Sequence, residues 1–164
     1  MNISGVILRK PTAEDGQLVH QLITRTPELD SNSCYCNLLQ CSHFADTSII
    51  AEKQGTTLGF ISGYRKPDNP QTLFIWQVAV SSEARGCGLG SKMLNQLIER
   101  DENSAITHLE TTITETNNAS WALFNRLAEH FNAPLERSVM FDRITHFNDE
   151  HDSELLARIG PLVR

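Results

Sequence analysis

Glycine stands at three alternate positions within residues 85–90, which read RGCGLG, between an apolar segment and an amphipathic helical pattern. Backbone N–H groups at the start of a helix point outward and carry the positive end of the helix dipole, so they bind phosphate groups. Glycine lets the backbone approach an anion without an intervening side chain. The turn is therefore predicted to bind a phosphate-bearing ligand; the alternative is a tight turn whose glycines are incidental.

Two familiar phosphate-binding motifs do not fit this turn. A P-loop places lysine and then serine or threonine after its last glycine, whereas Gly90 is followed by Ser91 and Lys92 in the opposite order. A dinucleotide fingerprint has two residues between its second and third glycines, whereas one residue separates Gly88 from Gly90. The phosphate-bearing ligand must therefore be recognised by another motif.

A second cluster with possible chemistry joins three of the four cysteines, Cys34, Cys36 and Cys41, to His43. Structural zinc sites usually combine two short ligand pairs across an intervening segment, and this stretch lacks the second pair. Apolar residues fill the same segment. We therefore expect buried or half-buried thiols, reduced in the absence of an export signal, and no metal site.

The elements that position these residues must come from one ordinary domain, because the chain has 164 residues. We predict a single domain, 1–164, with its core at about 6–145 and a C-terminal tail at 146–164. Hydrophobic residues make up 40% of the chain and charged residues 21%, which is typical of a globular protein. Neither a membrane-spanning run nor a secretory signal is visible, so we expect a cytoplasmic protein. The net charge of −6 disfavours nucleic acid as a partner.

Hydrophobic periodicity predicts a mixed α/β domain of about six strands and four helices. The predicted strands are 3–9, 48–52, 58–64, 72–80, 106–113 and 137–144, with a loop at 66–71. Thr12 and Asp15 resemble a helix N-cap pair, and residues 27–44 are irregular or contain a short helix. The inward-facing helical residues are Leu18, Val19, Leu22 and Ile23, then Leu89, Met93, Leu94, Leu97 and Ile98, then Ala119, Leu123, Phe124, Leu127 and Phe131. A short helix is expected at 153–158.

The strand, the glycine turn and the helix together resemble the GCN5-related N-acetyltransferase (GNAT) superfamily, whose motif is Arg/Gln-x-x-Gly-x-Gly/Ala after a valine-rich strand. This resemblance implies the GNAT fold and acetyl-CoA as co-substrate, with pantetheine between two splayed strands, 76–80 and 109–113. An asparagine after the second strand contacts the pantetheine in that superfamily. The implied cofactor-binding residues are Val78, Ala79, Val80, Arg85, Gly86, Cys87, Gly88, Leu89, Gly90, Ser91, Asn117 and Asn118.

Segments outside this motif, at 29–39, 41–47, 63–65, 73–80, 109–112 and 158–161, resemble the L-2,4-diaminobutyrate acetyltransferases. The resemblance implies transfer of acetyl from acetyl-CoA to the γ-amine, which gives the precursor of the compatible solute ectoine, by a protein that is commonly a homodimer. Asn37 and Cys34 replace the usual tyrosine and proline. Phe124 replaces a tyrosine that can protonate the leaving thiolate in many GNAT relatives, so that proton must come from another residue or water.

The same resemblance implies an acceptor site formed by Asp30, Tyr35, Trp76, Gln77 and Thr111. A diamino acid carries two ammonium groups, so its site needs acidic partners, and Asp30 is expected to bind the α-ammonium. The alternative for Asp30 is a turn or helix cap. The alternative for Trp76 is an ordinary core residue.

Proton transfer requires a further group, because only a neutral amine attacks a thioester and an alkyl amine is mostly protonated near neutral pH. The candidates are Glu110 and Glu115 beside the splayed strands, and His151 and Glu154 in the tail. The last two would share a face of the expected C-terminal helix; the alternative is a solvated tail. We expect direct attack in a ternary complex. Rival functions are acetylation of another small amine and catalytically silent binding of acetyl-CoA.

Overall fold

The computed structural model describes residues 3–164, which form a seven-stranded mixed sheet and four α-helices. The strands are β1 (Ile7–Arg9), β2 (Ile49–Lys53), β3 (Thr56–Lys66), β4 (Asn69–Val80), β5 (His108–Thr114), β6 (Leu135–Phe141) and β7 (Glu154–Ile159). The helices are α1 (Gly16–Thr24), α2 (Cys34–Ser42), α3 (Leu89–Glu99) and α4 (Asn118–His130). The strand order is β1-β2-β3-β4-β5-β7-β6. The predicted fold class is confirmed, with one strand more than expected.

The chain divides into two compact units, and each contains two separate segments of sequence. The first unit consists of the residues up to Tyr64 together with Ile75–Ala105. The second consists of Arg65–Phe74 and Ile106–Arg164. The division between the two units falls within β4, after Phe74. None of the helices within residues 3–164 is long and apolar enough to cross a bilayer.

The first unit is built on the β2–β3 hairpin, which packs against α1 and α2. Gln54 and Gly55 form its turn with φ values of 51° and 77°, the conformation that a two-residue hairpin turn requires. The buried cluster consists of Val19, Leu22, Ile23, Cys41, Ile50, Phe60 and Ala79. Leu18, expected to face inward, is 44% exposed. Burial raises the pKa of the Cys41 thiol to about 12, which makes it an unreactive core residue.

The predicted cap at the start of the first helical segment is confirmed. Thr12 and Asp15 form a reciprocal capping box around a 3₁₀ turn that leads into α1. The Asp15 carboxylate accepts two hydrogen bonds of 2.8 Å from Arg9 and one of 2.7 Å from the Thr12 backbone. These bonds hold the pKa of Asp15 below its ordinary value, chiefly through Arg9.

The second unit contains β5, with β4 on one side and β7 on the other. The parallel β4–β5 pairing joins Thr72 to His108, Leu73 to Leu109 and Phe74 to Glu110. Strand β7 pairs antiparallel with both β5 and β6. The helix expected at 153–158 is therefore wrong. Its residues are good helix formers, but pairing on both sides makes the segment a strand and overrides that propensity.

Two smaller predictions also need correction. In α4, Ala119 is exposed and Leu123 half-buried, while Trp121 and Ala128 are buried, so the inward face is rotated from the expected one. The Trp121 indole donates to the Thr114 carbonyl at 3.1 Å and so fixes this rotation. The loop expected at 66–71 is shorter, because only residues 67 and 68 separate β3 from β4.

Candidate active site

The glycine turn places two residues in the left-handed region immediately before α3. Gly86 has φ of 73° and Gly88 has φ of 79°. No atom lies within 4 Å of a Cβ built at either position. Glycine is therefore required here by the backbone conformation and not by lack of space, since the left-handed region costs other residues about 1–2 kcal/mol.

Helix α3 begins without a side-chain cap, because its N-cap residue is Gly88. The first intrahelical bond runs from the Lys92 N–H to the Gly88 carbonyl at 3.0 Å. Earlier N–H groups of a helix have no carbonyl partner within it, and such a terminus favours an anion. The predicted apolar face is confirmed: Leu89, Met93, Leu94, Leu97 and Ile98 are all buried, which fixes the helix within the first unit. The N-terminus of α3 therefore suits a phosphate group.

Arg85 is the first residue of the turn and is held by an exposed ion pair. Its guanidinium donates to both carboxylate oxygens of Glu28, at 3.2 and 3.1 Å, and its Nε donates to the Val80 carbonyl at 3.3 Å. The hydrogen bond from Arg85 lowers the pKa of Glu28. The Cys87 thiol donates to the Ala84 carbonyl at 2.8 Å, so it stays within the turn.

In the same unit, Gln77 of β4 connects to the segment that precedes α2. Its amide nitrogen donates to the Asp30 backbone carbonyl at 3.1 Å, and its amide oxygen accepts from Asn32 at 3.2 Å. The structure thus brings Asp30 and Gln77 together and leaves Asp30 exposed. The cap of α2 is Ser33, which accepts from the Cys36 N–H at 3.1 Å, so Asp30 does not have that role.

Trp76 of β4 is 46% exposed and does not fit the alternative of a core tryptophan. Its ring meets Tyr64 edge-on, with centroids 6.1 Å apart, and Tyr64 in turn lies 6.2 Å from Phe44. These three rings form an aromatic cluster. Sequence reasoning missed Phe44 and Tyr64, although both belong to segments that carried the resemblance. Tyr35, at the start of α2, is 70% exposed.

In the second unit, Glu110 of β5 is the centre of a buried ionic cluster. Its side chain is 3% exposed, with Lys66 Nζ 3.0 Å from one oxygen and Arg158 Nη1 donating to the other. A buried carboxylate needs such partners, because burying an unpaired charge is costly. Sequence reasoning missed both cations. Thr111, the next residue on β5, is also buried and points to the other face of the sheet.

His151 lies in the connection between β6 and β7, and its ring has a defined orientation. Nδ1 is 2.6 Å from the Asp152 carbonyl oxygen, and the ring centroid is 4.6 Å from that of Phe147. A carbonyl oxygen only accepts, so Nδ1 carries a proton and Nε2 is the ring nitrogen at which a proton can be taken up or released. The expected helical face shared with Glu154 is wrong, because residue 154 is the first of β7; both side chains are half-buried.

The connection around His151 borders an open cleft of about 320 Å³, lined by Thr114, Arg143, Asp149, Glu150, His151 and Asp152. Arg143 stabilises it by pairing with Asp149 and, at 3.0 Å, with Asp152. Its backbone N–H donates to Ser153 at 2.8 Å. This part of the tail is therefore an ordered loop.

The residues that follow β5 are exposed. Glu115 and Asn118 lie at the surface, and the Asn117 side-chain oxygen caps α4 by accepting from the Ser120 N–H at 3.1 Å.

All four cysteines are free thiols, Cys41 buried and the others half-buried, as predicted. The described residues contain no group of three or more His, Cys, Asp or Glu side chains that could hold a metal ion.

Comparison with known proteins places this arrangement in a family. Residues 17–128 match the model of the acetyltransferase (GNAT) family. The L-2,4-diaminobutyric acid acetyltransferase of Methylotuvimicrobium alcaliphilum is 50% identical over 95% of this chain and 91% of that protein. The one from Vibrio cholerae is 49% identical over 93% of this chain and 88% of that protein.

A solved structure is similar along almost the whole chain. Diaminobutyrate acetyltransferase EctA from Paenibacillus lautus, in complex with its substrate L-2,4-diaminobutyric acid and coenzyme A, has a TM-score of 0.91 and 40% identity. The match covers 97% of this chain and 96% of that one. The ribosomal-protein-S18-alanine N-acetyltransferase from Escherichia coli shares the fold, with a TM-score of 0.76 at 13% identity. This chain therefore belongs to the acetyltransferase (GNAT) family and, within it, to the L-2,4-diaminobutyric acid acetyltransferases.

Proposed function

We propose that this protein transfers the acetyl group of acetyl-CoA to the γ-amine of L-2,4-diaminobutyrate and so forms N4-acetyl-L-2,4-diaminobutyrate for ectoine biosynthesis. The observation that carries the proposal is the TM-score of 0.91 to an enzyme solved with diaminobutyrate and coenzyme A. The match covers 97% of this chain and so includes the acceptor-side segments as well as the glycine turn.

The proposed cofactor-binding residues fit a phosphate-bearing co-substrate. The turn at 85–90 and the uncapped start of α3 present backbone N–H groups to an anion. Val78, Ala79 and Val80 supply backbone groups from β4, and Ser91, Asn117 and Asn118 are the further proposed contacts. When bound, acetyl-CoA supplies the activated acetyl thioester. A backbone N–H of β4 would stabilise the oxyanion that forms on attack.

The proposed acceptor-binding residues are Asp30, Tyr35, Trp76, Gln77 and Thr111. The exposed carboxylate of Asp30, whose backbone is held by Gln77, suits an ammonium group. The second ammonium group of the substrate lowers the pKa of the reacting amine by like-charge repulsion. His151 or Glu154 then accepts the proton that the amine must lose.

His151 is supported by its orientation, since the contact of Nδ1 with the Asp152 carbonyl leaves Nε2 as the nitrogen that can exchange a proton with the substrate. We expect His151→Ala and Glu154→Gln to lower kcat by about 10²–10⁴-fold, the usual contribution of a general base. The Michaelis constant for acetyl-CoA should stay unchanged. Glu150→Gln is the matched control, because Glu150 is an exposed acidic neighbour without a proposed role. Steady-state kinetics checks this, and full turnover in both variants would remove the tail from the mechanism. Glu110 and Glu115 are then the remaining candidates.

The substrate is tested by CoA release from acetyl-CoA with diaminobutyrate, ornithine, lysine, putrescine or no acceptor, with the product identified by NMR. Strong preference for diaminobutyrate and acetylation of its γ-nitrogen are expected. Preference for another amine would overturn the substrate but not the reaction. Cofactor binding without release of CoA from any mixture would indicate a silent acetyl-CoA sensor.

We also propose that the protein acts as a homodimer in the cytoplasm. Strand β6 lies at one end of the sheet order and carries exposed apolar side chains, among them Val139 at 59%. An exposed apolar edge strand is a surface on which another chain can pack. This supports a second copy of the chain as its occupant.

A further inference from the structure

Strand β7 carries a second charged residue, Arg158, that has no role in the reaction proposed above. Glu154 and Arg158 both belong to this strand and lie four residues apart. Side chains alternate between the two faces of a strand, so both leave the sheet on the same side, with Cα atoms about 13 Å apart. Leu156 stands between them, half-buried, on that face.

The neighbouring strand β5 continues the same arrangement. Its residues Glu110, Thr112 and Thr114 are the register partners of Arg158, Leu156 and Glu154. The face therefore has a cationic end at Arg158, an apolar and hydroxyl middle, and an acidic end at Glu154. A diamino acid has the matching order, with a carboxylate at one end, methylene groups in the middle and an amine at the other end.

The guanidinium of Arg158 has donors to spare. Its ion pair with Glu110 uses Nη1, whereas a guanidinium has five N–H groups in a fork that suits a carboxylate. Its side chain is 35% exposed. Glu136, its register partner on β6, is exposed, and the ion pair of Arg158 runs instead to Glu110 on the other side. Lys66, 27% exposed, adds a second positive charge; its other acidic neighbour, Asp68, is exposed and 3.9 Å away.

Two other arginines of this unit are engaged elsewhere. Arg143 pairs with two aspartates. Arg137 stacks over Trp121, with its Cζ 3.8 Å from the ring centroid, and lies on the opposite face because its register partner is Ala157. Arg158 thus shares its face of the sheet with Glu154 and not with Arg137.

We propose that Arg158, held in place by Glu110 and supported by Lys66, binds the α-carboxylate of the acceptor and makes the enzyme specific for an amino acid over a simple diamine. This inference rests on the proposed function. It deepens that function, because the residues proposed above to bind the acceptor include no cation for the carboxylate.

The test compares two acceptors that differ in the carboxylate alone: diaminobutyrate and 1,3-diaminopropane. Arg158→Met should lower kcat/KM for diaminobutyrate about 10- to 100-fold, the loss expected for a hydrogen bond to a charged group. The kcat/KM of this variant for 1,3-diaminopropane should stay within about threefold of the wild-type value, because this acceptor has no carboxylate for Arg158 to bind. If the diamine is not acetylated, its Ki as a competitor of diaminobutyrate gives the same comparison. The Michaelis constant for acetyl-CoA should not change.

Matched variants keep the test decisive. Arg137→Met removes a cation from the next strand on the opposite face and should affect neither acceptor. Because Arg158→Met leaves Glu110 with one partner fewer, the double variant Glu110→Gln/Arg158→Met is measured as well, with folding checked by circular dichroism. An equal loss of kcat/KM for both acceptors, or no loss for either, would overturn the assignment of Arg158. The proposed function would still stand if the wild-type protein acetylated diaminobutyrate. An inactive wild-type protein would overturn both.

Discussion

At the scale of single residues, the glycine turn shows how backbone conformation dictates residue type. We predict that Gly88→Ala raises the Michaelis constant for acetyl-CoA about tenfold, since a left-handed alanine costs about 1–2 kcal/mol and the turn will shift to relieve the strain. The Michaelis constant for diaminobutyrate should not change. Steady-state kinetics with each substrate varied in turn measures both values.

Gly55→Ala is the matched control for this prediction. Gly55 has φ of 77°, and no atom lies within 4 Å of a Cβ built there, so the same strain arises in the β2–β3 hairpin. It should lower stability without changing either Michaelis constant. If Gly55→Ala and Gly88→Ala raised the Michaelis constant for acetyl-CoA to the same extent, the turn at 85–90 would have no special role in binding it.

Single residues also show what local pattern can and cannot predict. The turn at 85–90 was predictable because its glycines, its position and the helix after it are all local. The cluster of Lys66, Glu110 and Arg158 was not, because its members lie far apart in sequence and meet only once β5 and β7 have paired. The orientation of His151 was equally invisible, since it depends on a neighbouring carbonyl.

At the scale of elements, the capping box ties the start of α1 to β1. We predict that Asp15→Asn lowers the free energy of unfolding by about 1–3 kcal/mol near neutral pH, because it weakens hydrogen bonds between buried and charged groups. The pKa of Asp15 is lowered from an ordinary value of 3.8, chiefly by the hydrogen bond from Arg9. Its contribution is therefore complete well above pH 3.8 and is lost as pH falls through and below that value.

Urea unfolding of both proteins across this pH range measures the effect. The difference between wild type and Asp15→Asn should shrink with acidification. Asp46→Asn is the control, because Asp46 is 67% exposed and its pair with Lys10 at 2.6 Å is a surface salt bridge of about 0–1 kcal/mol. A difference that grew on acidification would contradict the assigned role of Asp15.

Elements differ in how far their own sequence determines them. Helix α3 followed from its apolar periodicity, and its predicted residues are all buried. Helix α2 could not be distinguished from an irregular segment by its sequence, because cysteine and polar residues interrupt its apolar periodicity. The residues of strand β7 favour a helix in isolation, and they form a strand because β5 and β6 pair with them on both sides.

At the scale of the whole molecule, we predict that Val139→Asp shifts the protein from dimer to monomer, since a charge on an edge strand opposes packing by another chain. Light scattering after size-exclusion chromatography should show the mass fall by half. Ile7→Asp is the matched control: Ile7 is 56% exposed and lies on β1, at the other end of the sheet order. A dimeric Val139→Asp protein would exclude β6 as the interface.

The place of β7 in the sheet gives the residues that follow β6 an unusual importance. Strand β7 is synthesised after both β5 and β6, yet it lies between them and pairs with both. During synthesis, the edges of β5 and β6 that pair with β7 therefore stay unpaired until residue 159 has emerged from the exit tunnel. A nonsense mutation or a protease cut after residue 141 therefore does more than trim an end. It removes the middle strand of three and leaves two open edges for aggregation.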